Sequence, residues 1–458
     1  MDRRSFVKGV GGAALLAAMP RVAFAKPTPQ EIASLGTSLT PMGSVKEGSA
    51  DGMITPWTGK WNDVPTGLSW GGFGKPQPDP YAAEQPLFTI TAQNMQQYAD
   101  RLTDGQKAMF ARNGGTFRMN VYPCHRDFRP SDFVLSNLKL NAAEAAVTPD
   151  GEGVTGVFAA PAFPFAKTGL EMIWNAITVP RGFTQRGIMD EAVVYPDGNI
   201  AWGAQKWDIY AASYDPSIAR GEFDGASAFV FRSTLKPARN QGEITLVREW
   251  WDYGNRPSQA WQYIPGTRRV KQVPEIAGDY PLGPGGFHTV DDTNLWTQSP
   301  KRYDWELVGR KEIFIPYNNF GIDDPAIKYK DMLATSHLNP DVVRWELHRV
   351  WVLKAKLKAG LRHVYAARTI YIDEDSLNPM LADMYDARGE LYRMAMMTTS
   401  YDYGSRMTQA RVVVYHDLIS GAYMADRLSN EVNDRMAYNE GGRKGDDYTP
   451  QELKRRGV

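Results

Sequence analysis

Five times between residues 193 and 426, a run rich in β-branched and aromatic residues meets a short turn and then a second such run. Residues 193–195 and 200–202 flank Pro196-Asp197-Gly198-Asn199, and residues 261–264 and 268–273 flank Pro265-Gly266-Thr267. Residues 345–354 and 363–372 flank a turn around Lys358-Ala359-Gly360; Arg388-Gly389 divides 384–386 from 391–397, and Ser420-Gly421 divides 412–417 from 423–426. Each pair reads as an antiparallel hairpin. In series they make a meander, which means one long, twisted antiparallel sheet. No repeat of fixed period is present, so neither a propeller nor a solenoid is expected. With 13 Trp and 22 Tyr, both faces of such a sheet can be partly apolar. That composition favours a β-rich fold around an internal cavity, or a large two-layer core.

Helices are signalled at two places. Thr91 is placed to cap a helix carrying Met95, Tyr98, Ala99 and Leu102 on one face, with Asp104 starting a further turn towards Phe110. Thr168-Gly169-Leu170-Glu171 is a capping-box pattern ahead of Met172, Ile173, Trp174 and Ile177. Before them, Gly and Pro are too dense for long helices or central strands, while Trp57, Trp61 and Trp70 suit an ordered arm pinned onto a folded body. The expected division is a leader at 1–25, an irregular wrapping arm at 26–90, the sheet domain at 91–430 and a charged tail at 431–458, mobile from Asn439 on.

The leader reads Asp2-Arg3-Arg4-Ser5-Phe6-Val7-Lys8, then a mildly apolar stretch, then Ala23-Phe24-Ala25 as a small-x-small cleavage site. This order is that of a twin-arginine export signal, which carries a folded chain across the inner membrane. The apolar stretch is about half of the ~20 residues a spanning helix needs. No cysteine near the cleavage site offers a lipid anchor, so the expected destination is the periplasm, in soluble form. The leader holds four basic residues (Arg3, Arg4, Lys8, Arg21) and one acidic (Asp2), so the chain's balance of 52 to 52 becomes 48 to 51. Near-neutrality without a basic run argues against a nucleic-acid partner. Cys124 is the only cysteine and cannot make an internal disulfide; stability must come from a core.

Side chains with chemical potential are scattered. Cys124-His125 with Asp127 follows a strand, but adjacent side chains on extended backbone point apart, so a shared metal is not expected. His288 lies three residues ahead of Asp291-Asp292 after a Gly turn. That set reads either as an acid/base or ligand group, or as a loop whose aspartates cap nearby backbone. His348 and His363 fall in facing strands, and His337 and His416 have no evident partner. Gly-x-Ser-x-Gly, His-Glu-x-x-His, Cys-x-x-Cys, P-loop and dinucleotide motifs are all missing from the sequence. No catalytic residue, metal or cofactor is therefore assigned.

Arginines interleaved with aromatics carry more weight. Trp261 and Tyr263 precede a tight turn that Arg268 and Arg269 follow. Trp345, Arg349 and Trp351 are expected on one face of their strand, and Arg368 on a face of the partner strand. One reading makes these eight residues a ligand surface, with aromatic walls for a chain or ring and guanidinium groups for an acidic head. The other pairs the arginines with Glu346, Asp373 or Glu374 at the sheet edges.

Several long strings resemble a Gram-negative family known as domain of unknown function 1329. They are Leu39-Thr40-Pro41-Met42-Gly43 with Pro56-Trp57-Thr58-Gly59; Arg302-Tyr303-Asp304-Trp305-Glu306-Leu307-Val308-Gly309; Ile315-Pro316-Tyr317-Asn318-Asn319; Glu346-Leu347-His348-Arg349-Val350-Trp351-Val352; and Tyr371-Ile372-Asp373-Glu374-Asp375. The resemblance extends to the periplasmic lipoprotein carriers LolA and LolB. It implies an α+β fold that is mainly β: a large curved antiparallel sheet, or incomplete β-barrel, closed by helices over a hydrophobic cavity. It also implies a carrier for a lipid, acyl chain, sterol-like molecule or lipoprotein, no catalytic residues, and a transporter of the resistance-nodulation-division (RND) type or an outer-membrane component as partner. Two other functions stay open: an exported enzyme acting on a lipid-like substrate through His288, Asp291 and Asp292, and an adaptor of such a transporter with no ligand of its own.

Overall fold

Two meanders meet in one sheet. The computed structural model describes residues 26–274 and 278–457; the expected leader lies outside the described residues. The first meander comprises β1 (Thr184–Val194), β2 (Ile200–Tyr210), β3 (Ala226–Lys236), β4 (Ile244–Trp250), β5 (Gln259–Ile264) and β6 (Arg269–Val273). The chain then passes to the opposite edge. There the second meander runs through β7 (Tyr303–Ile315), β8 (Glu346–Leu357), β9 (Ala367–Asp373), β10 (Pro379–Tyr385), β11 (Leu391–Asp402), β12 (Met407–Asp417) and β13 (Tyr423–Leu428). Strand β13 returns to pair with β1, so the first and last long strands lie together at the centre. The resulting order is β6-β5-β4-β3-β2-β1-β13-β12-β11-β10-β9-β8-β7, with a short β14 (Ala437–Tyr438) pairing the other end of β1 to make 14 strands. The path ends at β6 and β7 without closing, so the sheet is open and antiparallel, as the expected incomplete barrel requires. Register shifts, among them those at Leu307/Gly309 and Met397/Thr399, bend and coil it.

All five expected hairpins form, because their turns are decided by local chemistry. At Pro196-Asp197-Gly198-Asn199, the Asp197 carboxylate accepts from Asn199 N–H, and Gly198 takes φ 85°. The third hairpin differs in extent: its second strand begins at Ala367, not at 363. Tyr365 N–H donates to His363 Nδ1 at 3.0 Å, a local side-chain bond that diverts the backbone from the ladder.

Four helices carry most of the helical structure: α1 (Asp104–Asn113), α2 (Asp132–Glu144), α3 (Gly169–Ile177) and α4 (Pro450–Arg456). The expected capping box Thr168/Glu171 starts α3, and an unforeseen one, Thr103/Gln106, starts α1. The helix expected from Thr91 is a 3-10 turn, Met95–Arg101. Asn94 Oδ1 accepts from Thr91 N–H, and this Asx bond closes a turn where the cap was expected.

The arm is held down as its tryptophans imply: Trp61 packs on Phe128, Trp70 on Tyr403, and Trp61 N–H donates to Asp127 O. The charged tail is not the mobile segment expected. Tyr448 and Leu453 are buried against Tyr210, Phe231, Leu246 and Tyr263, and Tyr448 donates to Asp208 at 2.8 Å. Arg455 pairs with Glu452 on the outward side of α4, while Arg456 turns to the sheet, over the Phe231 ring at 4.0 Å and on Asp208 at 2.8 Å, beside the apolar side that seals it.

Candidate functional site

Period-two alternation in the first meander builds two different surfaces. Tyr210, Phe229, Phe231, Ile244 and Leu246 face α4 and form a closed core. Their neighbours in the strands, including Met189, Trp207, Ile209, Val230, Val247 and Glu249, line a cavity of about 920 Å³. Helix α3 and the chain after it contribute Ile177, Val179 and Arg181; the crossover between the meanders contributes Pro284, His288 and Val290; Tyr214, Trp251 and Tyr253 complete the wall. Lys236 and Arg239 at the β3–β4 turn, with Pro281 and Gly285 of the crossover, line the cavity while exposed, which marks its mouth. Gly203 lets the crossover pack closely on β2: a Cβ there would lie 2.9 Å from Pro284 Cγ.

Charged groups of both signs line this cavity. Arg181 makes no hydrogen bond or ion pair among the described residues, and burial, aided by the like charge of Arg427, holds it down to about 10. The Arg232 guanidinium lies over the Trp207 ring at 5.8 Å. Burial lowers its pKa, while Glu191 acts in the other direction. Burial pushes Glu249 up to about 7, and burial with the nearby Asp426 pushes Glu191 up to about 8. The walls are largely apolar and aromatic, and Arg181 and Arg232 are set into them together with the carboxyls of Glu191, Glu249 and Asp426.

The eight residues expected at a ligand surface are placed elsewhere. Trp261 and Tyr263 lie on the α4 side of β5, while their neighbour Ala260 lines the cavity. Arg268 and Arg269 are exposed at the β5–β6 turn. Trp345 and Leu347 belong to one core cluster and Trp351, stacked by Arg310 at 4.3 Å, packs against another, and none of them lines the cavity. Arg349 donates to Glu47 O and Glu374. Arg368 is fully buried, ringed by Trp296, Tyr303 and Tyr365, and binds Asp291 and Asp292 at 2.7 and 2.8 Å.

That last pair of bonds divides the His288, Asp291, Asp292 group. His288 lines the cavity, stacked on Tyr415 at 4.9 Å, and burial lowers its pKa. Asp291 and Asp292 are engaged by Arg368, His363, Thr289 and Tyr365. They serve as the anchor of the crossover. His348 and His363 do not meet: the first reaches Cys124 and Glu346, the second Asp291. His125 turns away from Cys124 to bond Glu84 at 2.6 Å and stack on Tyr81. Of the cavity residues that motif reading passed over, Arg232 and Glu249 carry one visible signal, a charge among inward positions of alternating strands, while Arg181, on the chain between α3 and β1, carries none.

Residues 89–454 match the family described as Protein of unknown function (DUF1329). An uncharacterized protein of Pseudomonas aeruginosa, PA3922, is 39% identical over 437 residues, covering 93% of each chain. Among solved structures, the chain is similar to a DUF1329 family protein from Desulfovibrio piger (13% identity, 62% of this chain and 97% of that one, TM-score 0.42). It is also similar to a putative outer membrane lipoprotein-sorting protein domain from Vibrio parahaemolyticus (14% identity, 62% and 98%, TM-score 0.41). With the match spanning most of its length, this chain belongs to the DUF1329 family.

Proposed function

We propose that the protein is a periplasmic carrier that holds an amphipathic ligand in the cavity of the first meander and hands it between components of the cell envelope. The observation that carries this reading is the cavity itself: about 920 Å³, walled by Trp207, Trp251, Val230 and Val247, with Arg181 and Arg232 set into it. Its size falls within the ~300–1,000 Å³ of small-molecule sites, and apolar lining with few polar groups is their usual chemistry. Burial of an acyl chain or fused ring contributes roughly 25 cal/mol per Å², and a guanidinium group orients an acidic head. The ligand class is thus a lipid, acyl chain or sterol-like molecule with an anionic end. The sequence of the leader supports delivery to the periplasm, and an RND-type transporter suits the role of donor or acceptor.

Binding is tested by titrating the mature protein with fatty acids and anionic sterols while following fluorescence of the cavity tryptophans, together with native mass spectrometry of protein taken from the periplasm. A co-purifying lipid and saturable quenching are expected. If no amphiphile binds and none co-purifies, the carrier reading fails. One observation favours an enzyme instead: His288 Nδ1 is buried without a partner at the cavity wall. Turnover of an ester or sterol substrate that His288→Ala abolishes would establish that alternative.

A further inference from the structure

Away from the cavity, three side chains of metal-binding type converge. Glu346 and His348 are the first and third residues of β8, so alternation puts both on one face. Cys124 comes to them from the segment after residues 119–121, which a bridge between Val121 and Trp345 aligns with the start of β8. Cys124 Sγ lies 3.7 Å from His348 Nε2, which lies 3.1 Å from Glu346 Oε2. All three ligand atoms are within 4.8 Å of one another, and each residue is at most 1% exposed. Around a tetrahedral zinc ion, with Zn–S near 2.3 Å and Zn–N or Zn–O near 2.0–2.1 Å, neighbouring donors stand roughly 3.3–3.6 Å apart. The observed edges bracket that spacing.

A second, independent feature lies on the far side of the imidazole. Asp373 is fully buried, and its Oδ1 has no hydrogen-bond partner, yet it sits 3.7 Å from His348 Nδ1. A carboxylate behind the non-ligating nitrogen is the arrangement that fixes the tautomer of a metal-bound histidine. The neighbouring Asp375 is not free for this purpose, because Arg126 takes both its oxygens at 2.6 and 2.8 Å. Glu346 is oriented in turn by Arg344 Nε on Oε1 and by His125 N–H on Oε2, and the Tyr317 ring packs on His348 at 4.2 Å. Thiolate, imidazole and carboxylate together suit zinc better than calcium or magnesium.

We propose that Cys124, His348 and Glu346 bind one zinc ion, with Asp373 as the carboxylate behind the histidine. Binding displaces the thiol proton and the proton shared between His348 Nε2 and Glu346, so the ion replaces a hydrogen-bonded set with three coordinate bonds, and a water molecule completes the tetrahedron. Because the residues are buried, the ion enters as the chain folds. A leader that exports a folded chain is compatible with such loading before export. This departs from the sequence-based expectation of no metal, and it stands whether or not the cavity binds a lipid.

The test is to unfold the mature protein in guanidinium with a chelator, remove both, and refold it with Co²⁺ as the probe. One Co²⁺ per chain is expected, with the visible bands of a tetrahedral ion and a near-ultraviolet thiolate-to-cobalt band; Zn²⁺ should bleach them. Cys124→Ser should remove the thiolate band, and Glu346→Gln should weaken retention by at least about tenfold. If the variants do not refold, elemental analysis and melting of wild-type protein with and without added Zn²⁺ decide. Refolded wild type with substoichiometric cobalt, no thiolate band and a melting temperature indifferent to Zn²⁺ would overturn the proposal.

Discussion

Arg368, on β9 of the second meander, donates to Asp291 of the crossover at 2.7 Å, while its other terminal nitrogen takes Asp292 at 2.8 Å. The same crossover supplies His288 and Val290 to the cavity wall, so the wall of the first meander is fixed by an ion pair to the second. Burial opposes the charge on Asp291, yet Arg368 and His363 outweigh it and hold the group at about 2. Replacing Arg368 by Met leaves two buried carboxylates without their counter-charge, which should cost about 3–5 kcal/mol. Urea unfolding at neutral pH measures it. Adding Asp291→Asn and Asp292→Asn to Arg368→Met should recover part of the loss, and no recovery would mean the pairs contribute little.

Cavity arginines should separate ligand charge from ligand shape. Arg181→Met and Arg232→Met are expected to weaken an anionic amphiphile by about tenfold each, the scale of a lost charged hydrogen bond. A neutral ester of the same chain should be almost unaffected. Ligand-free Arg181→Met should melt no lower than wild type, because it loses a buried charge that makes no ion pair among the described residues. Calorimetric titration with matched acid and ester makes the comparison.

Buried carboxyls set a pH dependence of opposite sign to that of Asp291. Glu249 stands at about 7 against an ordinary 4.5, so folding favours its protonated form. Its contribution is complete below about pH 4.5 and disappears as pH rises through about 7. Glu249→Gln should therefore melt near wild type at pH 5 and above it at pH 8, by an amount equivalent to roughly 1–3 kcal/mol. Equal differences at both pH values would show that Glu249 does not titrate in this range.

Hairpins were legible because Pro-Asp-Gly-Asn, Pro-Gly-Thr and Ser-Gly turns act within a few residues. The faces of the strands were not. Trp261 and Tyr263 form an apolar pair wherever they point, and only the docking of α4 decides that they face Leu453. Arg368 reads as a ligand for an acidic head until its partners arrive from Asp291 and Asp292, more than 70 positions earlier. In the same way, Arg232 and Glu249 become cavity residues only when the crossover covers their side of the sheet. Charge type was visible in the chain, but the long-range packing that turns it inward was not.

The tail offers a direct check on that packing. Leu453 is fully buried beneath the first meander, and Leu453→Ala should cost about 2–5 kcal/mol. Loss of the buried Tyr448–Asp208 hydrogen bond in Tyr448→Phe should cost about 0.5–1.5 kcal/mol. Thermal melts of both variants suffice, and melting temperatures equal to wild type would mean that the tail is dispensable for stability.

The central pairing of β1 with β13 has a consequence for how the molecule comes into being. Tyr423 stands opposite Val194 in the register, so the middle of the sheet joins the beginning of the first meander to the end of the second. Each meander can zip from hairpin to hairpin as it leaves the ribosome, but the joint between them waits for nearly the whole chain and must close a very large loop. Until then, two unpaired strand edges are open to foreign partners. Completion at the middle makes the last long strand the keystone, and a chain truncated before Tyr423 should accumulate as two half-sheets without a common body.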